Sequence, residues 1–153
     1  MTKLAGILKR ALAGVGASRE EALELVSGNV SDVELLDSAE QIRKKFFGDE
    51  AIFCGIVNAR SGMCSADCRY CAQSVHSSAE APQYPLLSVE RLVAEAKVLA
   101  SCHVHCFGII TSGPAATDQE VEIVCAAVEV IRDETSLEVS VSLGMQSTEN
   151  LRR

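Results

Sequence analysis

Aromatic side chains make up only 4% of these 153 residues, and there is no basic excess: the formal net charge is −7, with acids and bases mixed along the chain. A nucleic-acid groove wants a basic stripe with aromatics set into it, so the composition argues against that class. No apolar run approaches the roughly 18 residues needed to cross a bilayer. Acids are missing from the first 19 residues, yet Lys9 and Arg10 interrupt the apolar stretch there. That segment therefore reads as an amphipathic first helix rather than a secretory signal or a transit peptide. Low-complexity tracts are absent too. What is there is a globular composition, 48% hydrophobic and 23% charged, in a chain long enough for one domain with a core. Seven cysteines, an odd number partly gathered in one place, do not fit a secreted disulfide framework. A reducing, cytoplasmic setting with a metal or cluster site fits instead.

The first fifty residues read as short helices. Ser18 with Glu21 and Ser31 with Glu34 have capping-box spacing, and Gly28 and Gly48 mark helix ends. From residue 51 the pattern changes. "AIFCGIVNA" (51–59) is a nearly continuous apolar run of the buried parallel-strand kind, which puts Cys54 in the core. A long cysteine-bearing loop follows. "SVERLVAEAKVLAS" places Val89, Leu92, Val93, Ala96 and Leu99 on one helical stripe. "HVHCFGII" reads as a second strand, "TSGPAA" as a turn, and Thr117 with Glu120 as the cap of a helix whose stripe includes Cys125. "LEVSVSLG" (137–144) alternates as a third strand, and a further helix is expected from Ser147. Strands alternating with helices predict a parallel α/β fold. Three strands cannot close a β/α barrel, which typically takes about 250 residues. The expected organisation is an N-terminal helical segment (1–50) and the first part of a barrel (51–153).

The chemistry is concentrated in "SGMCSADCRYCAQS", residues 61–74, where Cys64, Cys68 and Cys71 form a C-x3-C-x2-C arrangement. Structural zinc wants four ligands, and His76 could complete a Cys3His set. An iron–sulfur cubane usually takes four cysteines, so three leave one iron open for another ligand. The third reading is inert thiols, which on a polar loop would invite oxidation. The loop follows a strand, at the sheet edge where β/α folds place their chemistry.

C-x3-C-x2-C with an aromatic before the last cysteine resembles the radical S-adenosyl-L-methionine (SAM) superfamily. The wider "NARSGMCSADCRYCAQS", "YPLLSVERLVAEAKVLAS", the "TSG" turn and "LEVSVSLG" resemble the biotin synthase family. That resemblance implies a TIM-type barrel with a [4Fe-4S] cluster on Cys64, Cys68 and Cys71, whose open iron binds SAM. Reductive cleavage of SAM would give a 5′-deoxyadenosyl radical that takes hydrogen from dethiobiotin, into which sulfur is inserted. It further implies Tyr70 near the adenine, Thr111, Ser112 and Gly113 near the methionine part of SAM, and Arg60 facing the substrate. A flavodoxin or ferredoxin as electron donor and a homodimer are implied as well.

One departure stands out. Many biotin synthases carry an auxiliary iron–sulfur cluster on cysteines of the second and third strands, and those positions are Gly108 and Ser140 here. A radical SAM enzyme that does not insert sulfur therefore stays open as an alternative, beside a zinc module. In "CHVHC" (102–106), a regular strand would put His103 and His105 on one face and Cys102 and Cys106 on the other, so the four cannot share one ion.

Overall fold

The computed structural model describes residues 3–153. It divides into two compact units, Met1–Ala51 and Ile52–Arg153, and each is considered by itself.

The first unit holds α1 (Lys3–Leu12), α2 (Arg19–Val26) and α3 (Asp32–Phe47), with α1 packed on α3. Ser18 and Glu21 make the full reciprocal capping box at α2. At α3 only half of that expectation is met: the Ser31 hydroxyl accepts from the Glu34 N–H, but Glu34 returns no bond to the Ser31 backbone and takes the hydroxyl proton at 2.8 Å instead. Gly48 closes α3 at φ 65°, where a side chain would be strained. Ile7 and Ser38 are the buried residues of this unit. Its surface carries ion pairs, such as Arg10 with Glu21 and Arg43 with Glu40 at 2.6 and 2.8 Å. The Arg43 guanidinium, bonded to Glu40, lowers that carboxyl to about 2.

The second unit runs β1 (Cys54–Arg60), α4 (Val89–Ser101), β2 (Cys106–Thr111), α5 (Asp118–Glu134) and β3 (Glu138–Ser142). The strands are parallel and ordered β1-β2-β3, giving the α/β architecture of a partial barrel. Capping works as its residue pairs indicate: Ser88 accepts from Arg91 N, and Thr117 forms a complete box with Glu120. Both helices lie on one face of the sheet. An added Cβ at Gly55 would sit 2.5 Å from a Leu99 methyl on α4, which identifies the odd-numbered side of β1 as the covered one. Ala59, Phe107, Ile109, Leu92, Ala96, Val124 and Ile131 close the core between sheet and helices.

The opposite face carries Cys54, Ile56 and Asn58 from β1, Cys106, Gly108 and Ile110 from β2, and Glu138, Ser140 and Ser142 from β3. Neither α4 nor α5 lies on it. This corrects the placing of Cys54 in the core: it is exposed, because an apolar run that suits two covered faces meets only one. Two boundaries also move. The first two strands start three residues later than their apolar runs, at Cys54 and Cys106; before the second, "CHVH" is spent on a turn. Cys102 caps α4 and His103 sits at φ 57°, so the face-sharing expected of a regular strand does not apply there. The helix expected from Ser147 is only a short 3-10 turn, Asn150–Arg152. A groove of about 550 Å³ runs between α5 and β3, past Val124, Val128, Val139 and Val141, along the unpaired edge of the sheet.

Candidate functional site

The register puts the carboxyl ends of all three strands at one edge. Arg60 pairs with Thr111 across β1 and β2, and Ile110 with Ser142 across β2 and β3. The loop after β1 and the turn after β2 therefore emerge side by side.

The cysteine loop leaves β1 through a sharp left-handed turn, Gly62 at φ 78° and Met63 at φ 54°. Its two ends are then laced together. Cys64 N donates to Gln73 O at 3.0 Å and Val75 N to Cys64 O at 2.9 Å, so Cys64 and Ser74 form a small parallel bridge. Gln73 adds a side-chain strap, its carbonyl oxygen accepting from Ser61 Oγ at 3.0 Å and Gly62 N at 2.5 Å. Ser74 Oγ donates to Ala66 O at 2.6 Å across the loop's interior. Cys71 N donates to Cys68 O at 3.0 Å, a turn that brings those two residues close in the chain's path. Cys64 is buried at the root of the loop, Cys71 is half-buried and Cys68 is exposed. The side chain of Tyr70, at 95% relative exposure, stands in solvent.

The turn after β2 is fixed from both sides. Ser112 N donates to Arg60 O at 2.9 Å, and the buried Ser112 hydroxyl donates to Gly62 O at 2.8 Å. On the other flank Met145 N donates to Pro114 O and Ala116 N to Leu143 O, each at 2.8 Å. Gly113 has φ 103°, and a Cβ there would meet the Arg60 guanidinium at 2.6 Å. Thr111, Ser112 and Gly113 thus lie next to the cysteine loop, as expected. A cleft of about 540 Å³ opens between the two segments, lined by Arg60, Gly62, Met63, Tyr84, Ser112 and Gly113.

Arg60 does not behave as a free cation awaiting a carboxylate. Its Nε donates to Ser112 O at 2.9 Å and its Nη2 to Ala115 O at 3.2 Å. Its Nη1 is paired with Glu120 in a partly buried ion pair. Burial pushes the Glu120 carboxyl upward, but the Thr117 N–H and the Arg60 guanidinium outweigh it and hold the group below its ordinary range. Arg60 is thereby a clamp joining β1, the turn and the start of α5.

Sequence reasoning passed over Gln73 and Ser61, which shape the loop. Nothing but adjacency to the motif marks Gln73 in the sequence. Glu120 was visible only as a helix cap, and its second role depends on a contact sixty positions away.

The donor set suits a cluster better than a single ion. Among the described residues no three His, Cys, Asp or Glu side chains converge as one metal ion requires, so Cys64, Cys68, Cys71 and His76 do not form a tetrahedral zinc cage. A cubane spreads its thiolates over different irons, and three thiols on one closed loop suit that. The auxiliary cluster is a different matter. Gly108 and Ser140 stand in register on the open face, and an added Cβ at Gly108 would be 3.3 Å from Ile56 and 3.6 Å from Ser140 Oγ. That row has no sulfur, so it does not fit an iron–sulfur group.

No family model matches the chain. Over 148 residues it is 37% identical to the biotin synthase of Citrifermentans bemidjiense, covering 96% of this chain and 45% of that protein. It is 39% identical over 141 residues to that of Geobacter sulfurreducens, covering 91% and 43%. With that of Geotalea daltonii the identity is 44% over 128 residues, covering 82% and 39%. The chain thus spans less than half the length of these curated relatives. Among solved structures it superposes on methylornithine synthase with a TM-score of 0.74 at 18% identity, over 95% of this chain and 42% of that one. A maturase of the [FeFe]-hydrogenase gives 0.71 at 20%, over 96% and 33%. At such identities these two establish the fold.

Proposed function

We propose that this chain, which matches the N-terminal portion of radical SAM biotin synthases, carries the cluster-binding part of an enzyme that inserts sulfur into dethiobiotin. The observation that carries the proposal is the closed C-x3-C-x2-C loop lying beside the Ser112–Gly113 turn at the carboxyl edge of a parallel sheet. In this reading Cys64, Cys68 and Cys71 hold three irons. A [4Fe-4S] cluster bound there supplies the electron that cleaves SAM and generates the 5′-deoxyadenosyl radical. The protein's own contribution is placement. The Gly62–Met63 turn sets Cys64 at the root of the loop, and the Gln73 strap fixes the loop's mouth. Ser112, tied to Gly62, holds Gly113 where backbone can approach the methionine part of SAM closely. Arg60 keeps that turn in place through its carbonyl contacts. A flavodoxin- or ferredoxin-type protein would deliver the electron.

The test is anaerobic reconstitution with iron and sulfide. The full chain should take up about four irons and turn brown. Cys64→Ala, Cys68→Ala and Cys71→Ala should each remove the colour, whereas Cys102→Ala and Cys125→Ala should keep it. Zinc in the purified protein that disappears with His76→Ala would overturn the reading.

A second reading is favoured by one observation, the sulfur-free Gly108–Ser140 row with Ile56 against it. It is a radical SAM enzyme that abstracts hydrogen without inserting sulfur. Joined to the remaining barrel strands of a relative, the chain would then release 5′-deoxyadenosine with dithionite and SAM but make no biotin.

A further inference from the structure

Two cysteines that the cluster loop leaves unused lie together elsewhere. Cys54 is the first residue of β1 and Cys106 the first of β2, and they are direct partners in the parallel register. Both belong to the uncovered face of the sheet, at the end of the strands opposite the cysteine loop. Desolvation, together with the neighbouring Cys106 sulfur, raises the Cys54 thiol above its ordinary value. Cys54 is exposed and Cys106 half-buried, and both are free thiols. Partners on adjacent strands are about 4.8 Å apart, inside the roughly 4.4–6.8 Å Cα separation that a disulfide spans. As first residues of their strands, both have a turn or loop on one side to absorb a small adjustment. Glu138 extends the row on β3, yet no three such side chains converge on one ion among the described residues. The row therefore offers a sulfur pair and not a three-ligand metal cage.

We infer that Cys54 and Cys106 form an exchangeable dithiol, which closes to a disulfide stapling β1 to β2 when it meets a small-molecule disulfide such as oxidised glutathione. One thiol of the pair, as its thiolate, attacks a sulfur of the small disulfide, forming a mixed disulfide and releasing one small thiolate. The other, once deprotonated, attacks the protein sulfur of that mixed disulfide and releases the second. The pair gives up two electrons and two protons, and the small disulfide is reduced to two thiols. The cluster loop, at the far end of the strands, takes no part.

The test uses the full chain, incubated without air in oxidised glutathione and digested without reductant for mass spectrometry. A linked pair of peptides containing Cys54 and Cys106, two hydrogens lighter than the free pair, should be the main internal disulfide. Cys54→Ser should abolish the link and leave a glutathione adduct on Cys106, and Cys106→Ser should do the converse. The inference is overturned if Cys54 and Cys106 are recovered as free thiols while other cysteines carry glutathione. It is also overturned if the reconstituted protein takes up more than the expected roughly four irons and Cys54→Ser removes the excess, since the pair would then be a cluster ligand set. Failure of the cluster reading would show as loss of colour from the Cys64 loop, a separate measurement.

Discussion

The two faces of the three-stranded sheet obey different rules. On the covered face Phe107 and Ile109 are fully buried against α4 and α5, while on the open face Ile56 keeps 65% of its surface exposed. The strands themselves are the same, so the difference arises from what packs on them. A residue's cost of removal should follow its face and not its hydrophobicity. The open face is also where the unusual polar groups collect: Cys54 with Cys106, Ser140, and Asn58, whose side-chain oxygen is buried without a hydrogen-bond partner. Of these, the Asn58 oxygen carries a desolvation cost, being buried without a partner.

The sharpest way to break that comparison is a pair of truncations in denaturant melts. Phe107→Ala should cost about 3–5 kcal/mol, the transfer term plus a cavity that the helices cannot fill. Ile56→Ala should stay within about 0.5 kcal/mol, as an exposed substitution. Equal losses would mean that the open face is not open. A smaller contrast comes from two glycines. Gly55→Ala drives a methyl to 2.5 Å from Leu99 Cδ1 and should cost about 1–3 kcal/mol through overpacking. Gly108→Ala meets only the flexible Ile56 side chain at 3.3 Å, and its melt should move less than that of Gly55→Ala.

The smallest effect concerns the ion pair at the edge both faces share. Glu120→Gln should lower stability by about 1–2 kcal/mol near neutral pH, since its hydrogen bonds to Arg60 are charge-assisted. The sign is set by the depressed carboxyl. Its stabilisation is present above the ordinary carboxylate range and is lost as pH falls through the lowered folded value. Wild type and variant should therefore converge in acid, and a gap that widens there would refute the clamp. Glu40→Gln, in a pair open to solvent on the helix surface, should leave the midpoint where it is, because solvent screens that attraction.

Much of this was legible before any coordinates. Helix caps at Ser18 and Thr117 are local chemistry, and their partners lie three residues away in the sequence. Parallel strands with the cysteine loop and the "TSG" turn at one edge follow from alternation and chain order. What the sequence hides is whatever depends on a neighbour far along the chain. Arg60 looks like any strand-end cation until Glu120 and the carbonyls of Ser112 and Ala115 surround it. Cys54 looks like core because periodicity cannot say whether a second layer covers the strand. The start of β2 is hidden because "CHVH" is apolar enough to pass for strand, and only the left-handed His103 reveals the turn.

The lacing of Cys64 to Ser74 has a kinetic meaning. A flexible segment carrying three thiols must lose chain entropy each time one of them captures iron. Here the ends of the segment are already joined, so that loss is largely taken during folding. In the proposed cluster site, once Cys64 had bound iron, Cys68 and Cys71 would meet the same metal centre at an effective concentration set by a short closed tether, and not by protein in bulk solution. Assembly should then be all-or-none, with partly ligated forms short-lived.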